Sequence, residues 1–268
     1  MVKHQTAASD SLTPADQELP AAVPQASSVP GDEMGTRESN EQAWTWTAVT
    51  ATFTLFVVRL TRAAEVAREL LGDEFSGVVI TDRYAAYNRF QRRQLCWAHL
   101  LRDFQGLIDA GGEGERIGAL LLAIGKQVFH HWHRARDGTI GRRTMKANIL
   151  ALAGDMLEVL EEGLTCPHAR TVTLCNSLLD RYDQMWTLVY HGDVAPTDNA
   201  AERSLRHAVI WRKLSFGTQS AGGSRFVETL LSVIETCRQQ DRSVIDFVTE
   251  TVEARFHGKP GPSLLAGV

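Results

Sequence analysis

AWTWTAVTATFTLFVVRL, residues 43–60, is dense in Trp, Thr, Val and Phe, with a short break between AWTWTAVT and FTLFVVRL. β-branched and aromatic side chains suit a pleated surface, so the two halves read as adjacent antiparallel strands. AAEVARELLGDE (63–74) follows and changes the period. It puts Val66, Ala67, Leu70 and Leu71 on one helical face, with Gly72 as a stop signal. GVVITD (77–82) is a short apolar run ending at Asp82, as expected of a buried strand. The order strand, strand, helix, strand predicts an α/β layer.

The chain has 268 residues, 44% of them hydrophobic and 22% charged, an ordinary composition for a soluble protein with a real core. No apolar run approaches the length of a membrane span, so no membrane partner is expected. MVKHQTAASDSL at the start lacks the apolar centre of a secretion signal. The four cysteines, at 96, 166, 175 and 237, form no CxxC pair and fit reduced thiols in a cytoplasmic protein. The net charge of −4 is unevenly spread. Residues 1–42 carry two basic and seven acidic side chains, whereas Arg203 to Val227 holds five basic residues and no acid. A polyanionic partner therefore suits the folded part, although the whole chain is not basic.

Residues 1–31 are rich in Ala, Ser, Pro, Gln and Thr and read as disordered. Residues 100–190 read as helices only, separated by loops of Gly, Asp, Thr and Pro. A helix from about Asn199, a Gly-rich turn SAGGS and two further helices follow, the last with Ser243 as a capping residue. Residues 258–268 read as a flexible tail.

Two carboxylates stand out. Asp82 closes an apolar strand, and catalytic groups of open α/β sheets gather at the carboxyl ends of strands. By itself it reads rather as a loop-start aspartate capping the turn DRYAAY. Glu202 sits early in a predicted helix, where an acid commonly complements the helix dipole. Asn199, Glu202 and Arg206 are spaced by three and four and share one face, with Arg203 beside them. A solvated face normally mixes both signs of charge, and this one does not. Composition leaves Glu202 open between the two readings.

DRYAAYNRF, QLCWAHLLRDF and PTDNAAERSLRHAVIWRKLSFGTQSAGGSRFVETLLSVIETCRQQDRSVIDF resemble the transposases of the bacterial insertion-sequence-66 group, over roughly residues 32–255. That group belongs to the DDE transposases. Its usual PTNNAAER reads PTDNAAER here, with Asp198 as a small departure. The resemblance implies an α/β ribonuclease-H-like core with a large all-helical insertion between the second and third catalytic acids. The expected divisions are 32–99 for the first part of the core, 100–190 for the insertion, and 191–257 for the rest of the core with its closing helices.

It implies further that Asp82 is the second catalytic acid and Glu202 the third. Asp32, in DEMGTRESNEQAWTW, is the candidate for the first, with Met34 in place of the usual Thr. These three would hold two Mg²⁺ or Mn²⁺ ions, hard cations that prefer carboxylate oxygens. Arg203, Arg206, Arg212, Lys213 and Arg102 would hold DNA phosphates, and Cys96, His99 and Asn199 would support the site. The implied function is metal-dependent cleavage and strand transfer of an insertion sequence. DNA ends and target are the implied partners, the assembly a homo-oligomer, the location cytoplasmic and nucleoid-associated.

Three further expectations bear on activity. PQASSVPG, ahead of Asp32, holds two prolines, serines and a glycine and is not expected to make a central strand. That leaves Asp32 poorly carried. The group's transposases are longer at the N-terminus, so the chain reads as truncated, or as joined to an unrelated start. The alternative function is then an impaired remnant that binds DNA or interferes with the full-length enzyme by co-assembly, and a stand-alone nuclease is a third. Finally, Cys96-x-x-His99 has half of a zinc spacing, with Cys166 and His168 as a conceivable other half. His130, His131 and His133 of FHHWH are expected in surface or interhelical packing.

Overall fold

A computed structural model describes residues 2–192 and 194–265. Its elements run α1 (Val2–Gln17), α2 (Leu19–Ala22), β1 (Ser28–Glu38), β2 (Glu41–Val49), β3 (Thr54–Arg59), α3 (Ala64–Leu71), β4 (Val78–Thr81) and β5 (Arg93–Leu95). Helices follow: α4 (Trp97–Ala110), α5 (Glu113–Arg136), α6 (Arg142–Gly163), α7 (Ala169–Leu179), α8 (Tyr182–Met185), α9 (Asn199–Ser215), α10 (Ala221–Gln239) and α11 (Val244–Phe256). The protein is mixed α/β and mostly helical. Hydrogen-bonded neighbours in its sheet follow the order β3-β2-β1-β4-β5. The chain divides into two compact units. One holds Met1–Val79, Tyr84–Gln91 and Asp198–Val268, and the other holds Ile80–Arg83 and Arg92–Thr197.

In the first unit, β1, β2 and β3 form an antiparallel meander. The strands expected from AWTWTAVT and FTLFVVRL are β2 and β3. α3 buries Val66, Ala67, Leu70 and Leu71 and ends at Gly72, whose φ of 85° a side chain would resist. One sheet face carries Trp46, Ala48, Leu55 and Val57 and packs on α3, Tyr87 and Val29. The other carries Phe56 and Met34 against Leu205 and Ala208 of α9 and Val227 and Leu231 of α10. Ser243 caps α11 by accepting from the Asp246 N–H, as its sequence suggests.

The start of the chain differs from expectation. Residues 2–25, read as disordered, are helical, and β1 begins at Ser28. Leu12, Ala15, Leu19 and Val23 are buried in the core, so tertiary packing supplies what local propensity lacks. Pro14 lies inside α1 and cannot donate to the Asp10 carbonyl one turn back. Arg255 of α11 donates to that carbonyl instead. β1 also corrects the reading of PQASSVPG: Ser28–Glu38 is an inner strand, between β2 and β4. Its register with β2 starts at Gly31↔Ala48, one residue past Pro30, so that recorded pairing asks for no donor from the proline. The expected flexible tail is likewise tied down as far as it is described. Leu264 is buried, and Gln240 and Arg242 donate to the carbonyls of Leu264 and Ser263 at 2.7 and 3.0 Å. Residues 266–268 lie outside the described residues.

β3 is the outer strand of the meander and would present unpaired N–H groups. α10 covers them with side chains. Thr236 Oγ1 accepts from the Thr54 N–H at 3.1 Å, Ser232 Oγ from the Phe56 N–H at 3.0 Å, and Glu228 Oε1 from the Val58 N–H. Arg59 and Arg225 also pair with Glu228.

The second unit is built on α4–α8 with β5 and the end of β4. Helix dominates it, as expected for 100–190, except that the last expected helix breaks at Asp180–Arg181 into α7 and α8. Trp97 and Trp186 meet with ring centroids 5.1 Å apart, and the Trp97 indole donates to the Met185 carbonyl at 2.9 Å.

Burial pushes the Glu228 carboxyl up from 4.5 to about 7, against the lowering effects of the Val58 N–H, Arg225 and Arg59. The folded protein thus keeps a proton that the unfolded chain releases, so this group's contribution to stability declines as pH rises from about 4.5 to 7. Denaturant midpoints at pH 5 and pH 8 should show that decline in the wild type, and Glu228→Gln should flatten it. An unchanged pH dependence in the variant contradicts the assignment.

Candidate catalytic acids and nucleic-acid interface

In the first unit Asp32 lies on β1 opposite Thr47. Residues paired across antiparallel strands project to the same sheet face, and the Thr47 hydroxyl bonds Ser204 of α9 at 3.2 Å. Asp32 is therefore on the α9 face. Its Oδ1 accepts from the Glu33 N–H at 2.9 Å, which holds the carboxylate close to its own backbone. Glu33 projects to the opposite face, where Arg62 donates to it at 3.0 Å and Tyr87 at 3.2 Å. The two acids of DEMGTRE are thus separated by the sheet.

α9 begins at Asn199, and the Glu202 N–H donates to the Asp198 carbonyl at 3.1 Å. Ala201, Ser204, Leu205 and Ala208 are buried, while Glu202 is half-buried in the first turn. Asp32 and Glu202 accordingly belong to one strand–helix pair, with Ser204 two residues beyond Glu202 fixing the approach. Arg203, Arg206 and Lys213 are exposed. Arg212 is different: it falls on the buried stripe of the helix and donates to the Gly35 carbonyl of β1. Four expected phosphate-holding side chains of α9 therefore divide into three that face outward and one that ties the helix to the sheet.

In the second unit Asp82 follows the last residue of β4 and is half-buried. The turn that carries it is locked by Arg93, which is 1% exposed. The Arg93 guanidinium donates to Thr81 Oγ1 at 2.9 Å and to the Asp82 carbonyl. The Cys96 N–H donates to the Thr81 carbonyl at 2.8 Å, which sets Cys96 beside the same strand end. Cys96 is the residue before α4, and His99 lies in that helix's first turn. Asp82, Cys96 and His99 are thus gathered at the end of β4 and the start of α4. Arg83, next to Asp82, pairs with Asp103 at 2.8 Å and bonds Ser177 at 3.3 Å. Arg102 is exposed on α4.

Sequence reading passed over Arg93 and Glu228. Nothing in RRQLCW distinguishes a buried arginine from an exposed one, and the Glu228-Ser232-Thr236 spacing looks like an ordinary polar helix face until β3 lies against it. The histidines of FHHWH pack as expected. His131 bonds Asn148 of α6 at 3.2 Å, and Trp132 and His133 meet edge-on at 4.9 Å. Desolvation, then the neighbouring His130 and Arg134 charges, lowers the His131 pKa. His168 bonds Thr171 at 2.9 Å in the first turn of α7.

A family model described as Transposase IS66 family matches residues 1–225. The chain belongs to the IS66 transposase family. The match includes residues 1–31, which sequence reading sets apart as a disordered segment. The uncharacterized protein y4qI of Sinorhizobium fredii is 24% identical over 215 residues, a stretch covering 75% of this chain and 40% of that protein. No solved structure matches the chain. No helix among the described residues is long and apolar enough to cross a membrane.

Arg93→Ala would strip a buried donor from both Thr81 and Asp82. The expected loss is roughly 3 kcal/mol of stability, read from urea denaturation. A loss within experimental error of zero would show that Arg93 does not hold the turn.

Proposed function

We propose that this chain carries the catalytic chemistry of a DNA transposase, cleaving element ends and joining them to target DNA, with Asp32, Asp82 and Glu202 as its metal-holding acids. The observation that carries the proposal is family membership, which spans β1, β4 and the first turn of α9. The meander order β3-β2-β1 with β4 and β5 beyond it supports a ribonuclease-H-like core. The formed strand under Asp32 favours this reading over an impaired remnant, whose ground was a missing strand.

The donor chemistry fits hard divalent cations. All three side chains are carboxylates, and all three are half-buried, held on ordered elements while still reachable from solvent. A pair of Mg²⁺ or Mn²⁺ ions, when bound, would supply an activated nucleophile and stabilise the leaving oxygen. The protein's own contribution is positional. Asp32 is fixed by β1 and its bond to the Glu33 N–H, Asp82 by the Arg93-locked turn, and Glu202 by the first turn of α9. Arg203, Arg206 and Lys213, exposed on α9, would take DNA phosphates and orient the scissile one. Water would attack the phosphorus at the element's end and release a 3′-hydroxyl. That hydroxyl would attack a target phosphodiester and displace a new 3′-hydroxyl. Cys96 and His99 would support Asp82 from the start of α4.

Asp32→Asn, Asp82→Asn and Glu202→Gln should each abolish cutting and joining of labelled element ends in Mg²⁺ or Mn²⁺ and leave DNA affinity in place. Activity persisting in any of the three removes that residue from the set. A double Arg203→Ala, Arg206→Ala variant should weaken binding and reduce the slope of log affinity against log salt by about 2, close to one unit per phosphate contact. An unchanged slope would place the DNA elsewhere.

A further inference from the structure

Phe216 ends α9 in a conformation that large side chains avoid. Its φ and ψ are 60° and 19°, the left-handed region, and its N–H closes the helix on the Arg212 carbonyl at 2.8 Å. Glycine or asparagine normally takes this position. A bulky side chain is strained there, and such strain persists only where the surroundings impose it. A buried ring would return that cost through packing. The Phe216 ring is 81% exposed, so the folded protein gains little from it.

The surroundings hold the residue rigidly. Thr218 donates its N–H to the Arg37 carbonyl at 2.9 Å and accepts from the Ser39 N–H at 2.8 Å, stitching the turn to the β1–β2 hairpin. The Ser39 hydroxyl donates to the Gln219 carbonyl at 2.9 Å. Gly217, at φ 104°, lies so close to Arg37 that a Cβ would sit 2.5 Å from its carbonyl oxygen. On the other side Ser220 caps α10 by accepting from the Gly223 N–H. The ring is therefore presented on a fixed turn and not on a loose loop. Leu214, two residues earlier, is also exposed. Exposed cations occupy the same region: Arg37 of β1 against the turn, Lys213 in the last turn of α9, and Arg206 farther along the helix.

We propose that Phe216 is a wedge that enters a base step of duplex DNA gripped by the outer face of α9; this rests on the DNA-binding reading above. An apolar side chain held rigidly among phosphate-binding cations has the physical requirements of such a wedge. Unstacking a step costs a few kcal/mol, which added phosphate contacts on the bent duplex offset. A second copy of the chain suits the patch less well. Stable interfaces bury about 800 Å² per partner, and this apolar row is one side chain wide and edged by like charges.

The test uses the full chain without divalent metal and short element-end duplexes carrying one 2-aminopurine at successive positions. Wild-type protein should raise the fluorescence at one or two adjacent positions, the sign of an unstacked step. Phe216→Asn, which tolerates the left-handed backbone, should lose that rise and keep its salt-dependent affinity. Phe216→Leu should keep part of it. Wild-type binding with no fluorescent position, or a rise that survives Phe216→Asn, overturns the wedge and leaves the DNA reading standing. Absence of salt-dependent binding overturns the DNA reading and the wedge with it. Concentration-dependent self-association that Phe216→Asn abolishes would assign the ring to a contact between copies.

Discussion

The first unit depends on how the outer edge of β3 is sealed. A helix rises about 6 Å over four residues, and a strand about 6.7 Å over two. Glu228, Ser232 and Thr236 on α10 can therefore meet the N–H groups of Val58, Phe56 and Thr54 in step, running the opposite way. The match holds over only a few residues before the two rises drift apart, which suits a six-residue strand. Sealing the edge by side chains fixes α10 against the sheet. α10 then forms, with α9, the cluster around Phe56 and Leu231, and α1 and α11 pack on α10's other side. The placement of Glu202 relative to β1 follows from this chain of contacts.

The seal has a chemical cost at one rung. Ser232 and Thr236 are neutral, and their hydroxyls also serve as acceptors without burying charge. Glu228 buries a carboxyl, and desolvation pushes it toward neutrality even with Arg59 and Arg225 beside it. Replacing a whole buried ion pair by packed apolar groups is often neutral or stabilising, whereas removing one partner alone is costly. The place of Glu228 here, at the rung nearest Arg59, ties the end of β3 to α3 as well, because Arg59 also pairs with Glu69. Burial weakens the cation of Arg59, and its bonds to Glu69 and Glu228 more than restore it.

What the sequence made legible, and what it did not, divides by range. β2, β3, α3 and β4 declare themselves through local period and composition, because each supplies its own buried surface from β-branched, aromatic or helically spaced apolar residues. α1 and β1 do not. α1 carries a proline and two hydroxyl residues bonded back to carbonyls four residues earlier, features that locally oppose a helix. Its spacing of Leu12 and Ala15, continued by Leu19 of α2, was the one signal, and it gains meaning only when α10 and α11 pack on α1. β1 hides behind Pro30 and two glycines, which penalise an isolated strand but matter less when strands lie on both sides. The site was legible in another way. Asp82 taken alone reads as a loop-start aspartate, and Glu202 stayed undecided by charge and spacing; both became candidates only when the blocks of residues around them were compared with a family. Arg93 and the inward turn of Arg212 depend on partners distant in sequence, and no local pattern encodes them.

α9 shows why its basic face carries no acid beyond the first turn. At about 100° per residue, Ala201, Leu205, Ala208 and Arg212 fall on one stripe, and that stripe meets the sheet. Glu202 lies a quarter-turn away, on the flank between the buried stripe and solvent. Arg203, Arg206 and Lys213 occupy the outer side. One helix thus separates three tasks by angle: packing inward, an acid on the flank, cations outward. An acid among the outer residues would pair with the arginines at i,i+3 or i,i+4 and reduce their pull on a polyanion. His207, Glu235 and Arg238 show the contrast. On the side where α9 approaches α10, Arg238 pairs with Glu235 at 2.9 Å, and His207 Nδ1 lies 2.7 Å from the same carboxylate. Among the described residues, the single-sign field lies on the exposed side of α9, where Arg203, Arg206 and Lys213 face solvent.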